Sequence, residues 1–180
     1  LRSERKMRKI LSHLMTVLVI VLSVYLIRTF ILMPISIDGD SMEPTLHNQD
    51  FLMMEQLSYY FDEPERFDIV VFRATKQKDY IKRIIGLPGD SIEYKDNQLF
   101  VNGREKKEYF LTDPNEFTND FTVNDIEPGH DHIPEDYYLV LGDNRNNSTD
   151  SRTIGLVPRD RIMGRAFLRY WPLDDFNLVR

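Results

Sequence analysis

The sequence predicts a mainly β protein: an antiparallel, sheet- or barrel-like body with a smaller inserted segment, carried behind one N-terminal transmembrane helix. Three observations predict it. The only long apolar run lies near the N-terminus, and helical periodicity is scarce after residue 33. Beyond that point, short alternating or continuous apolar runs alternate with turn residues, the pattern of antiparallel strands.

A chain of 180 residues has room for one domain and an accessory piece. The absence of cysteine excludes disulfides, thiolate nucleophiles and cysteine-based zinc sites. Net charge is −6 but unevenly divided, because residues 1–28 hold six Lys/Arg and one Glu, leaving −11 over 29–180. A body that acidic is poorly matched to a phosphate backbone, so nucleic acid is not an expected partner.

Residues 10–27 contain no formally charged side chain and are dominated by Leu, Val and Ile. With Arg28 snorkelling to the interface, the apolar span is predicted to run over 10–33, about the length that crosses a hydrocarbon core of roughly 30 Å. Arg2, Arg5, Lys6, Arg8 and Lys9 precede it, so the positive-inside rule places a cytoplasmic tail at 1–9 and the body, 34–180, on the extracytoplasmic side. A cleaved signal peptide would need small residues at its processing site, yet no alanine precedes Ala74. Eight residues of extended chain, about 26 Å, separate Met33 from Ser41.

In the body, Pro34 is expected to end the helix, with Ile35 and Ile37 alternating against Ser36 and Asp38 in a short strand. His47-Asn48-Gln49-Asp50 reads as a turn and residues 51–55 as a strand. Ile69-Val70-Val71-Phe72 is a continuous apolar run suited to a strand buried on both faces. Residues 79–87 form another strand, closed by Pro88-Gly89-Asp90. Residues 91–94 and 99–102 pair as a hairpin. From Glu108 to Asn144 there is no Lys or Arg, while Asp, Glu, Asn and Pro are frequent. This reads as irregular chain outside the core, within an accessory insertion of about 95–136. His130 and His132 lie in it with no helix or strand to fix their imidazoles, so no metal site is expected. Strands return at 137–141 and 165–171.

The stretch Gly39-Asp40-Ser41-Met42-Glu43-Pro44 restrains the backbone on both sides of Ser41. That is consistent with a turn serine or with a nucleophile held in a fixed pose. A nucleophile needs a base, and none of His13, His47, His130 or His132 sits on a supporting scaffold. Lys82 is the other candidate, in Tyr80-Ile81-Lys82-Arg83-Ile84-Ile85, provided that burial lowers its pKa from about 10.4. A lysine on a half-buried strand ordinarily snorkels to water, so the strand alone leaves both readings open.

Three stretches in order resemble the sequence boxes of type I signal peptidases. They are Ser41-Met42-Glu43-Pro44-Thr45-Leu46, the run from Tyr80-Ile81-Lys82-Arg83 to Gly89-Asp90, and Gly142-Asp143-Asn144-Arg145-Asn146-Asn147-Ser148-Thr149-Asp150-Ser151-Arg152. Residues 66–72 resemble a further box, and a single anchor with a short body is similar to the Gram-positive bacterial form. The resemblance implies a Ser–Lys serine endopeptidase with no metal or cofactor, acting on preprotein signal peptides at the lipid bilayer. It implies Ser41 as nucleophile, Lys82 as general base and Ser148 as the hydroxyl that orients the amine. Asp150 and Arg152 match charged residues that hold the site, and Asp143 an acid paired with a nearby arginine. Ile35, Ile37, Met42, Leu46, Tyr80 and Ile81 match positions lining the subsites that select Ala-x-Ala. Gly39 departs from relatives that carry an oxyanion-hole serine there, and Asn146 stands where many relatives have Asp. Two other readings are a self-cleaving Ser–Lys repressor, which would need a DNA-binding domain, and a tethered β-domain with a degenerate site that only binds. The oligomeric state is left open.

Overall fold

The computed structural model describes residues 2–30, 32–113 and 115–179. Helix α1 spans Arg2–Phe30, 29 residues or about 44 Å. Its stretch Lys6–Tyr25, with mean hydropathy 1.7, is long and apolar enough to cross a membrane. Every side chain of that stretch is exposed. The Arg28 side chain, expected to snorkel, lies outside the described residues.

The helix ends earlier than the apolar run does. Strand β1 begins at Leu32 (Leu32–Ser36), so Met33 and Pro34 belong to the sheet rather than to the span. Hydropathy cannot distinguish the last turn of an apolar helix from the first residues of an apolar strand. Proline is tolerated here because β1 is an edge strand, bonded among the described residues only to β2.

The remaining elements follow as β2 (Phe51–Glu55), β3 (Ile69–Arg73), β4 (Asp79–Gly86), β5 (Ile92–Lys95), β6 (Gln98–Val101), β7 (Arg104–Glu105) and β8 (Phe121–Thr122). Then come α2 (Val123–Ile126), β9 (Tyr137–Leu141), α3 (Ser151–Ile154), β10 (Val157–Pro158), β11 (Ile162–Trp171) and β12 (Asn177–Leu178). The larger sheet runs β1-β2-β11-β3-β4-β9-β10, with β12 also on β11. Its pairings are antiparallel throughout. Among the described residues the path has two ends, so the sheet is open rather than closed into a barrel. A second, four-stranded sheet runs β7-β6-β5-β8.

Each strand sits where its side chains can be buried. In β3, Val70 and Phe72 pack in one cluster with Ile84, Tyr138 and Val140, while Ile69 packs in another with Met42, Leu46 and Leu52. Burial on both faces explains why β3 reads as an unbroken apolar run. The hairpin β5–β6 turns through Asp96 and Asn97, both at positive φ (51° and 62°), the conformation of a two-residue type I′ turn.

The acidic stretch is not outside the core. Val123 and Ile133 are buried with Ile92, Tyr94 and Leu99 in a third cluster, and Thr118 is buried beside them. These anchors are spaced too irregularly along the chain to show as a period, which is why the stretch reads as loop.

Strands β11 and β2 approach closely at Gly164. A Cβ there would collide with the Glu55 carbonyl oxygen and Met54 Cγ. Backbone cannot step aside as a flexible side chain can, so Gly164→Ala should destabilise the fold by about 1–3 kcal/mol. Equilibrium urea unfolding in detergent measures this, with Gly103→Ala, whose Cβ meets nothing within 4 Å but whose φ of +73° disfavours a side chain, as the comparison for backbone strain without a clash.

Candidate active site

Strand β4 supplies the base candidate and a turn after β1 supplies the nucleophile candidate. Lys82 stands opposite Val70 of β3 and is only 3% exposed. Its Nζ donates to Ser41 Oγ at 2.6 Å and to the Ile81 carbonyl at 2.9 Å. The Tyr80 ring centroid lies 5.4 Å from the same nitrogen. Burial lowers the Lys82 pKa to about 8, against the opposing pull of the Asp150 and Asp143 carboxylates.

Ser41 is held by its neighbours. Its carbonyl accepts from the Asn144 N–H at 3.2 Å, and Asn144 Nδ2 donates to the Asp40 carbonyl at 3.1 Å. Gly142 lies so close beneath that a Cβ there would run into the Ser41 carbonyl oxygen and Ser148 Oγ. Only glycine lets the two loops meet.

A cleft of about 1060 Å³ opens above this pair, and Ser41, Lys82 and Ser148 all line it. Of the residues predicted to contact substrate, Ile35, Ile37, Tyr80 and Ile81 line the cleft. Met42 and Leu46 do not. Both are fully buried in the cluster with Leu52 and Ile69, because the turn that presents Ser41 directs its apolar side chains into the core. Ser148 Oγ is buried beside the Asp150 carboxyl, which it helps to hold below its ordinary range. His130 and His132 are exposed on the far segment.

Gly39 adopts φ of +106°, a conformation that strains any residue with a side chain. A serine at this position would require a different local backbone.

The surrounding charges are paired and buried. Asp143 accepts from Arg83 Nε at 2.9 Å and Nη2 at 2.7 Å, both side chains wholly buried, and also accepts from the Thr45 hydroxyl. Asp150 accepts from Arg152 Nε at 2.9 Å and Nη2 at 2.8 Å, and from the Gly142 N–H at 3.0 Å. Burial works to raise the Asp150 pKa, but the Arg152 and Gly142 bonds outweigh it and hold the carboxyl below its ordinary range.

A family model described as signal peptidase, peptidase S26, matches residues 10–171. The chain belongs to the signal peptidase family, peptidase S26. Among its relatives, signal peptidase IB of Staphylococcus aureus (strain COL) is 37% identical over 179 residues, covering 94% of each chain. A probable signal peptidase I-2 of Synechocystis is 44% identical over 160 residues, 85% of this chain and 69% of that one. The crystal structure of a signal peptidase I from Enterococcus faecalis V583 superimposes with a TM-score of 0.53 at 39% identity. That likeness covers 58% of this chain and 97% of the other.

Three buried arginines of this serine peptidase, Arg83, Arg145 and Arg169, escaped the sequence reading. Arg83 carried a usable signal, since an arginine inside an apolar strand must find a buried carboxylate. Arg145 carried none, because its partners, Tyr94, Glu108 and Thr118, are distant in sequence, and the last two lie in a segment read as irregular.

Lys82 is a stability cost in its charged form. With a folded pKa of about 8 and an unfolded value of about 10.4, both states are protonated below pH 8 and the full desolvation penalty applies there. The penalty fades as pH rises from 8 to 10.4, where the unfolded chain still holds the proton. Lys82→Met should therefore stabilise the enzyme most at pH 7, with an advantage that shrinks towards pH 10. Unfolding midpoints of both proteins across that range check the sign.

Proposed function

We propose that the chain is a membrane-anchored serine endopeptidase that removes N-terminal signal peptides from preproteins after Ala-x-Ala sites. The observation that carries this reading is the 2.6 Å bond between Ser41 and a lysine buried enough to lose its proton near pH 8. The names of the relatives supply the substrate class.

In the neutral amine the polarity of that bond reverses, and the Ser41 hydroxyl donates to the Lys82 lone pair. Lys82 takes the proton as Ser41 Oγ attacks the scissile carbonyl, and the new ammonium delivers it to the leaving amine. An ester joins the signal peptide to Ser41. Lys82, neutral again, then takes a proton from water, which attacks the ester and frees Ser41. The oxyanion would be met by backbone N–H groups, that of Ser41 included, since Gly39 brings no hydroxyl.

Ser148 is assigned to orient the amine, as a buried hydroxyl on the same cleft wall. Asp150 with Arg152, and Asp143 with Arg83, fix the loop that carries it. The cleft also offers two free backbone edges. Among the described residues β1 is bonded only to β2, and β4 pairs with β9 only from Arg83 onward, leaving Asp79–Lys82 open on that side. An extended peptide can bond to such edges while Ile35, Ile37, Tyr80 and Ile81 restrict its side chains to small ones.

The exposed apolar stretch of α1 supports an anchor, and the basic residues before it support a cytoplasmic N-terminus with the body outside. Substrate and enzyme would then share one bilayer, which raises their effective concentration. A domain that only binds has no need for a desolvated lysine beside a serine, and this favours the catalytic reading.

Detergent-solubilised protein should cut a preprotein after Ala-x-Ala. Ser41→Ala and Lys82→Ala should each abolish cleavage, a loss of at least 10³-fold by order of magnitude, while circular dichroism shows an intact fold. Near wild-type turnover by Lys82→Ala would remove Lys82 as the base.

Activity should rise with pH along a limb centred near 8, because the neutral amine is the working form. A limb at about 10.4, the free-lysine value, would contradict the buried base.

A further inference from the structure

The loop that carries Ser148 is gripped from behind by the smaller sheet. Its Arg145 side chain is wholly buried. Nε donates to the Gly142 carbonyl at 3.0 Å, and Nη1 donates to Tyr94 Oη at 3.0 Å and Thr118 Oγ1 at 2.9 Å. Nη2 is paired with Glu108, and the Arg145 backbone N–H donates to Glu116 Oε2 at 2.6 Å. Asn146 Nδ2 adds a bond to the Asn115 carbonyl at 3.1 Å. Tyr94 is on β5, while Glu108, Asn115, Glu116 and Thr118 lie between β7 and β8.

The other face of the same loop is the wall of the catalytic cleft. Asn146, Asn147, Ser148 and Thr149 line it, and Asn144 bonds the Ser41 carbonyl. The contacts therefore run without a break from the small sheet, through one guanidinium, to the backbone of Ser41. Among the described residues the bonds of Arg145 go to Gly142, Tyr94, Glu108, Glu116 and Thr118, not to Ser41 or Lys82.

We propose that Arg145 is a positioning residue, and that the smaller sheet serves as a brace which, through Arg145, sets the pose of the loop 142–149 against Ser41 and keeps water from Lys82. This rests on the Ser41–Lys82 reading above. The planar fork explains the residue type, since four acceptors in different directions cannot be served by an ammonium. Glu108 makes the buried cation tolerable.

The test is the pH profile of kcat and KM for preprotein cleavage by the full-length detergent-solubilised enzyme, well below its melting temperature. Lys82 is faced by Ser41 from the turn after β1, by Tyr80 on its own strand, and by Asp143 and Asp150 from the loop. Those two acids are held by Arg83 and Arg152. Arg145→Met leaves all of these in place. It should lower kcat by about 10²-fold, the scale of an ångström-sized misplacement, while KM stays within about two-fold. The acid limb should also move to higher pH, because a looser loop lets water reach Lys82 and restores its proton affinity. Glu108→Gln and Thr118→Val, which each remove one support from Arg145, should shift kcat and the limb in the same direction by less. They also carry the test if Arg145→Met does not fold. A folded set of variants with lowered melting temperature but unchanged kcat and limb would overturn the proposal. Failure of the wild type to cleave preprotein would instead overturn the underlying reading, so the two failures are distinguishable.

Discussion

The Arg83–Asp143 fork is the interaction on which the site depends. It joins three parts of the chain in one buried bond network, behind the direct contacts of Ser41 with Lys82 and Asn144. Arg83 follows Lys82 on β4, Asp143 opens the loop that leads to Ser148 and Asp150, and Thr45, bonded to the same carboxylate, closes the turn that presents Ser41. The guanidinium also donates to the Phe67 carbonyl at 2.9 Å and stacks 3.9 Å from the Phe110 ring centroid. A buried ion pair adds little net stability compared with apolar residues of the same shape, but losing one partner is expensive. Its value here is geometric. Alternation along β4 points Arg83 one way and Lys82 the other, so pinning the first fixes the second.

Much of this was legible in the sequence where chemistry and local pattern coincide. The residues of β2 and β9 follow from apolar runs between turn residues, and the buried character of β3 from its lack of alternation. Lys82 was legible as a candidate because it interrupts an apolar strand. Met42 and Leu46 were expected at the cleft only through the family resemblance; a matched position says nothing about which way a side chain in a turn points, and here both are buried in the core. The boundary between α1 and β1 was hidden because helix and strand are equally apolar there.

The acidic segment shows a different limit. Its charge pattern describes its surface, while a few apolar anchors such as Val123 and Ile133 determine where it packs. The carboxylates that seem surplus in a count of the chain are in part counter-ions to buried cations: Glu108 to Arg145, Asp143 to Arg83, Asp50 to Arg169. Composition alone cannot separate an acid that solvates the exterior from one that neutralises the interior.

The open edges of β1 and of residues 79–82 on β4 have a consequence for the protein's own folding equilibrium. The sheet is finished on the side of β9 and unfinished at the cleft, so the native state carries backbone groups that another strand could satisfy. A peptide that beds into both edges binds the folded chain and has no counterpart site on the unfolded one. By mass action it shifts the balance toward the native state. Occupancy of the cleft is in this sense the last pairing step of the fold, supplied from outside the chain.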